Sequence, residues 1–121
     1  MSAIVEKAEQ IAKQAYAPYS NYLVGAVARM NDGTEFAGTN VENAAYPLTQ
    51  CAEKTAIGAA STAGYRPGDI AVVAISASPC GGCRQWLHEW RVPRVEYRRE
   101  DGSFASTSAA DLLPDSWDLP G

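Results

Sequence analysis

A chain of 121 residues with 46% hydrophobic and 20% charged residues has the length and composition of one folded domain with a single core, and excludes a disordered polymer. A net charge of −4 opposes a polynucleotide-gripping surface, and the absence of a long apolar run opposes a membrane span. The segment MSAIVEKAEQ lacks the basic and apolar regions of a secretory signal, and three cysteines cannot pair completely. The expectation is one domain over 1–121 in the reducing cytoplasm.

Ile4, Ala8, Ile11 and Ala15 recur at helical spacing, with Ser2 as N-cap and Pro18 ending the helix near Tyr16-Ala17. Leu23 to Met30 reads as a strand, Asn31-Asp32-Gly33 as a turn, and Thr34 to Gly38 as the returning strand of a hairpin. Asn40 to Pro47 is a loop. The alanine-rich stretch Thr49 to Ala63 is a helix stopped at Gly64. Asp69 to Ser76 is a buried-type strand, and Pro79 opens a helix running to about Trp90. Val95 to Arg98 is a short strand, and Ser108 to Leu113 a short helix stopped by Pro114. The order α-β-β-α-β-α-β-α predicts an α/β fold, a three-layer α/β/α domain with a mixed central sheet. Arg91, Arg94, Arg98 and Arg99 read as a solvated strand edge or a subunit contact rather than a nucleic-acid patch.

Every cysteine falls in one of two motifs, Cys51-Ala-Glu53 and Pro79-Cys80-Gly-Gly-Cys83. Both lie at predicted helix starts, where unpaired N–H groups and the helix dipole favour thiolate. Three thiolates leave the fourth position of Zn²⁺ open, the mark of a catalytic rather than a closed structural site. The lone histidine, His88, is expected several turns from the metal end. A redox Cys-x-x-Cys leaves Cys51-Ala-Glu53 unexplained. Three thiolates and zinc carry one net negative charge, which Lys54 or Arg84 is placed to offset. Zinc lowers the pKa of bound water from about 15.7 to about 7, whereas a positioned acid/base such as Glu53 adds about 10² to 10⁴ in rate. The metal dominates the rate, and Glu53 selects the reaction. Trp86 and Trp90, four apart on one helix face, are expected to pack or to face another subunit.

Several segments in order resemble the bacterial-type, homotetrameric cytidine deaminase family: Tyr16-Ala-Pro-Tyr-Ser-Asn-Tyr22, Val24-Gly25-Ala26, Asn40-Val-Glu42-Asn-Ala-Ala-Tyr46-Pro47, both cysteine motifs, and Leu112-Leu-Pro114. The likeness covers nearly the whole chain. It implies one zinc per subunit on Cys51, Cys80 and Cys83, with Glu53 as proton shuttle. It implies that Asn40 and Glu42 bind ribose hydroxyls, that Tyr22 packs on the pyrimidine, and that the Ala52 backbone reads the base edge. Tyr46 would belong to a loop lent to a neighbouring subunit. The implied reaction is hydrolytic deamination of cytidine and 2′-deoxycytidine at C4, with protons delivered to N3 and the leaving amine.

The chain departs from that pattern at three places. Lys54 stands where arginine is frequent, and a point charge cannot fork to two thiolates. The Val73–Pro79 connection is short. Trp117 stands near the end where phenylalanine is common, either closing a neighbouring site or lying on the surface. The short connection motivates an alternative, a deaminase of a modified cytosine nucleoside such as blasticidin S; the intact Asn40/Glu42 pair opposes it. A polynucleotide editor and a non-catalytic zinc module are weaker readings, opposed by the acidic balance and by Glu53.

Overall fold

A computed structural model describes residues 2–120. The elements in chain order are α1 (Ala3–Ala12), β1 (Gly25–Met30), β2 (Glu35–Thr39), a 3₁₀ turn (Tyr46–Leu48), α2 (Ala52–Thr62), β3 (Ile70–Ile75), α3 (Gly81–Glu89), β4 (Val95–Arg98), β5 (Phe104–Thr107) and α4 (Ala109–Leu112). The five strands form one sheet in the order β2-β1-β3-β4-β5. Only β3 and β4 pair in parallel, joined by the α3 crossover; α2 likewise carries the chain from β2 to a parallel β3, but β1 lies between those two strands.

Side-chain alternation sorts the sheet into two faces. Val27, Val72 and Ala74 meet Ile4, Val5 and Ala8 of α1 on one side. Ala26, Ala28, Val73 and Ile75 meet Ala56, Ile57 and Leu87 on the other, where α2, α3 and α4 lie. This is the expected three-layer arrangement with a mixed sheet.

Two glycines set the layer spacing. A Cβ on Gly25 would overlap the Ala8 carbonyl and the Ala12 backbone of α1. One on Gly38 would come closer than 3.0 Å to the Ala52 carbonyl oxygen and the Ala56 nitrogen of α2. Gly38 therefore allows the close docking that places the start of α2, with Cys51 and Glu53, beside the sheet.

Three expectations need correction. First, α1 ends at Ala12, not near Tyr16. Gln14 and Ala15 donate to the Ile11 and Ala12 carbonyls, both at 3.0 Å, in a tightened turn. Tyr16 then pairs with the backbone around Val41, accepting from Glu42 N–H at 2.9 Å, so tertiary pairing wins over helix extension. Second, Pro79 and Cys80 precede the α3 helix rather than forming its first turn, with Cys80 as N-cap. Third, β5 has no counterpart in the sequence reading. Asp101-Gly102, with Gly102 at φ 87°, turns the chain back so that Phe104–Thr107 covers β4.

That last strand also overturns the strand-edge reading of the arginines. Arg98 stacks on Phe104 at 4.0 Å and pairs with Glu9 at 2.9 Å. Arg94 pairs with Glu96 at 2.7 Å.

Substituting Gly38→Ala is expected to destabilise the fold by about 1–3 kcal/mol through overpacking. Gly58→Ala, within α2 and with nothing within 4 Å of the added carbon, is expected to stabilise by about 0.5–1 kcal/mol. Urea unfolding midpoints check both signs; equal midpoints would refute the packing argument.

Candidate active site

The three sulfurs come from two helix starts. Cys51 is the N-cap of α2, Cys80 the N-cap of α3, and Cys83 lies in the first turn of α3. Their Sγ atoms lie within 4.8 Å of one another, with Cys51 and Cys80 3.9 Å apart. Tetrahedral zinc with metal–sulfur bonds of about 2.3 Å requires sulfur–sulfur edges of about 3.8 Å, so the cluster fits zinc with little movement. Among the described residues no fourth His, Cys, Asp or Glu joins this group. His88 instead bonds Asp118 through Nε2 at 2.8 Å.

Cys83 is buried, Cys51 half-buried and Cys80 exposed, so one side of the cluster opens outward. It opens into a cavity of about 310 Å³ lined by all three cysteines, Glu53 and Ala52. The Cys83 N–H donates to Cys80 Sγ at 3.4 Å, so a helix-start amide does meet a sulfur there, whereas Cys51 caps no amide. Hydrogen bonding from Cys83, aided by Cys80 and Lys54, holds the Cys51 thiol down to about 6. The Cys83 thiol is pushed up by its bond to Cys51 and by burial.

Glu53, at 3% exposure, is one of two buried polar side chains among the described residues. Burial pushes its carboxyl above the usual range, against the opposing pull of its own backbone amide and the Cys83 thiol.

The two cations divide as the sequence left open. Lys54 Nζ stands 5.9 Å from the Trp86 ring centroid. A Cβ on Gly82 would lie 3.6 Å from that nitrogen and 4.0 Å from Cys80 Sγ, so Lys54 flanks the thiol cluster. Arg84, expected to share the charge compensation, donates to the Pro79 carbonyl at 2.9 Å and the Leu112 carbonyl at 3.3 Å. Its fork straps the Pro79–Cys80 turn to α4.

The remaining candidates surround the cavity mouth. Asn40, 8% exposed, accepts from Val24 N–H at 2.9 Å and donates to the Tyr22 carbonyl at 2.8 Å. Glu42 accepts from Tyr19 N–H at 2.9 Å, Ser20 N–H at 3.1 Å and the Ser20 hydroxyl. Tyr22 and Tyr46 also line the cavity, at 59% and 84% exposure. Trp117 is 71% exposed and lies outside the lining. Trp90 is buried in the core and Trp86 packs against it, as expected of packing residues. Ser20 and Ser78 line the cavity without having been singled out. Ser20 stands within the Tyr16–Tyr22 motif, which is where a reading for side-chain oxygens would find it.

A family model described as the cytidine and deoxycytidylate deaminase zinc-binding region matches residues 1–98. A cytidine deaminase of Halalkalibacterium halodurans is 37% identical over 92% of this chain and 89% of its own length. One from Sporosarcina psychrophila is 40% identical over 92% of this chain and 86% of its own. A crystal structure of cytidine deaminase from Burkholderia pseudomallei superposes with a TM-score of 0.86 at 45% identity, covering 97% of this chain and 100% of that one.

Purified protein is expected to carry about one zinc per chain, measured by mass spectrometry of the metal. Cys83→Ser should lose it on dialysis, and His88→Ala should keep it. Retention by the serine variant would show that the three sulfurs are not the ligands.

Proposed function

The chain belongs to the cytidine and deoxycytidylate deaminase zinc-binding family, and we propose that it hydrolyses cytidine and 2′-deoxycytidine to the corresponding uridines with release of ammonia. The observation that carries this reading is a carboxyl group buried on the wall of the same cavity as three thiols spaced for one metal ion.

Zinc, when bound, supplies acidified water at its open position. The chain's own groups do the rest. Glu53 accepts one proton of the attacking water and delivers it to N3, then takes the second from the new C4 hydroxyl and delivers it to the amine as the C4–N bond breaks. Its burial removes competing solvent, so each transfer is between positioned partners. The Ala52 backbone, fixed at the start of α2, faces the base edge. Tyr22 offers a ring face to the flat pyrimidine. Asn40 and Glu42 supply a donor–acceptor pair to the sugar hydroxyls. Asn40 already spends one donor and one acceptor on the Tyr22–Val24 backbone, so it orients that loop as well as the sugar.

The cavity favours nucleosides over nucleotides. Its described lining contains no lysine or arginine, and its charged mouth residue is Glu42. A 5′-phosphate would lack a cationic partner and meet a carboxylate. A bulky modified nucleoside such as blasticidin S is the poorer fit, because both sugar-reading residues are in place.

This reading takes residues 1–121 as one zinc domain in a cytoplasmic homotetramer, with one zinc per subunit, serving pyrimidine salvage. Tyr16, Tyr19, Leu23 and Leu48 are exposed as well as Tyr22 and Tyr46, which supports a neighbouring copy at this face. Three unpaired thiols support a reducing compartment. No helix among the described residues is long and apolar enough to cross a membrane.

Glu53→Gln is expected to retain zinc and lose about 10² to 10⁴ in ammonia release from cytidine. Undiminished turnover in that variant would remove Glu53 from the mechanism. The unaltered protein should deaminate deoxycytidine with a kcat/KM at least about tenfold above that for deoxycytidylate, the minimum expected from one unmatched charge. The reverse preference would overturn the nucleoside assignment.

A further inference from the structure

We infer that Ser20 is the positioning residue for Glu42, orienting the carboxylate that reads the sugar and thereby enforcing the requirement for a sugar hydroxyl. This rests on the nucleoside reading above.

Glu42 lies on the loop after β2, where no core packing fixes a long side chain. Three donors fix it instead. Oε1 takes the Tyr19 and Ser20 amides at 2.9 and 3.1 Å, and Oε2 takes the Ser20 hydroxyl. The two amides alone would let the carboxylate swing about Oε1; the hydroxyl pins the second oxygen.

The hydroxyl's direction is itself determined. Ser20 Oγ accepts the Tyr22 N–H at 3.0 Å, leaving its single proton for Glu42. One serine thus joins the residue facing the sugar to the backbone of the residue facing the base. Ser20 also lines the cavity.

A carboxylate has about four acceptor positions, so three internal donors leave about one for the ligand. These bonds, the Ser20 hydroxyl first and its amide next, hold the Glu42 carboxyl below its usual range. Glu42 is therefore an acceptor with a fixed free lone pair. A sugar O–H satisfies it; a sugar without one leaves it unpaired.

The test measures KM for cytidine and the inhibition constant of 2′,3′-dideoxycytidine against cytidine turnover, in the unaltered protein, Ser20→Ala and Ser20→Thr. In Ser20→Ala, KM for cytidine should rise about tenfold, the size of one hydrogen bond to a charged group, while the dideoxy constant moves less than about twofold. Ser20→Thr, which keeps the hydroxyl, should restore the cytidine value. A purely structural role would move both constants together and would overturn the inference, as would an unchanged KM or a threonine variant behaving like alanine. Unaltered protein that releases no ammonia from cytidine would defeat the nucleoside reading and this inference with it; active protein indifferent to Ser20→Ala would defeat this inference alone.

Discussion

Everything in this molecule depends on the meeting of two helix starts. Cys51 ends an extended segment as α2 begins, and Cys80 does the same for α3. Three sulfurs within 4.8 Å, with a buried carboxyl beside them, form an electrostatically unfavourable group when all are ionised. Raising the Cys83 thiol, as the neighbouring Cys51 thiol and burial do, relieves part of that conflict. A divalent cation resolves it better, since it converts mutual repulsion into shared attraction. Metal affinity and folding energy are then partly the same quantity.

The fold divides its tasks by rigidity. The three cysteines and Glu53, the group assigned to proton transfer, sit on helix starts anchored to the sheet, where Gly38 admits α2 and the β3–α3–β4 crossover aims α3. The Ala52 backbone shares the start of α2, but the side chains assigned to the substrate, Tyr22, Asn40 and Glu42, sit on loops outside the helices and strands. They are held by hydrogen bonds instead: Asn40 to the Tyr22–Val24 backbone, Glu42 to Tyr19 and Ser20. A metal needs sulfur positions good to a few tenths of an ångström, and packed elements supply that. A nucleoside must enter and leave, and polar loop contacts exchange readily with water.

The chemistry was more legible in the sequence than the architecture. Cysteine spacing and Glu53 are local signals, and two helix starts suffice to bring them together. The end of α1 was not local: Tyr16 leaves the helix because a backbone partner around Val41 awaits it, far along the chain. β5 was missed for a different reason. Phe104–Thr107 is no shorter than β4, but it lacks the apolar alternation of Val95 and Tyr97 and ends in Ser106-Thr107, although Asp101-Gly102 marks the turn before it. That omission turned an interior strand into a supposed edge and left its arginines without partners. Lys54 and Arg84 were indistinguishable by distance along the chain. Only the carbonyls at Pro79 and Leu112 reveal that arginine's fork is occupied elsewhere.

The exposed aromatic residues at the cavity mouth bear on how much of the site one chain can build. The proposed proton transfer from Glu53 benefits from a low-dielectric surrounding, and the burial of its side chain provides one. The mouth does not: Tyr22 and Tyr46 each leave most of a ring in water. A ring face wetted in the free protein gains its full stacking and burial energy only if something apolar also covers its outer side. In the proposed reading, substrate covers part of Tyr22. The Tyr46 turn projects away from its own core, with no buried residue in Tyr46–Leu48. A segment so exposed and so apolar is explained if it serves a neighbouring copy rather than its own chain. In the proposed tetramer, each mouth would then be closed by a protein surface, so that water exclusion, and with it the strength of every polar contact inside, becomes a property of the assembly.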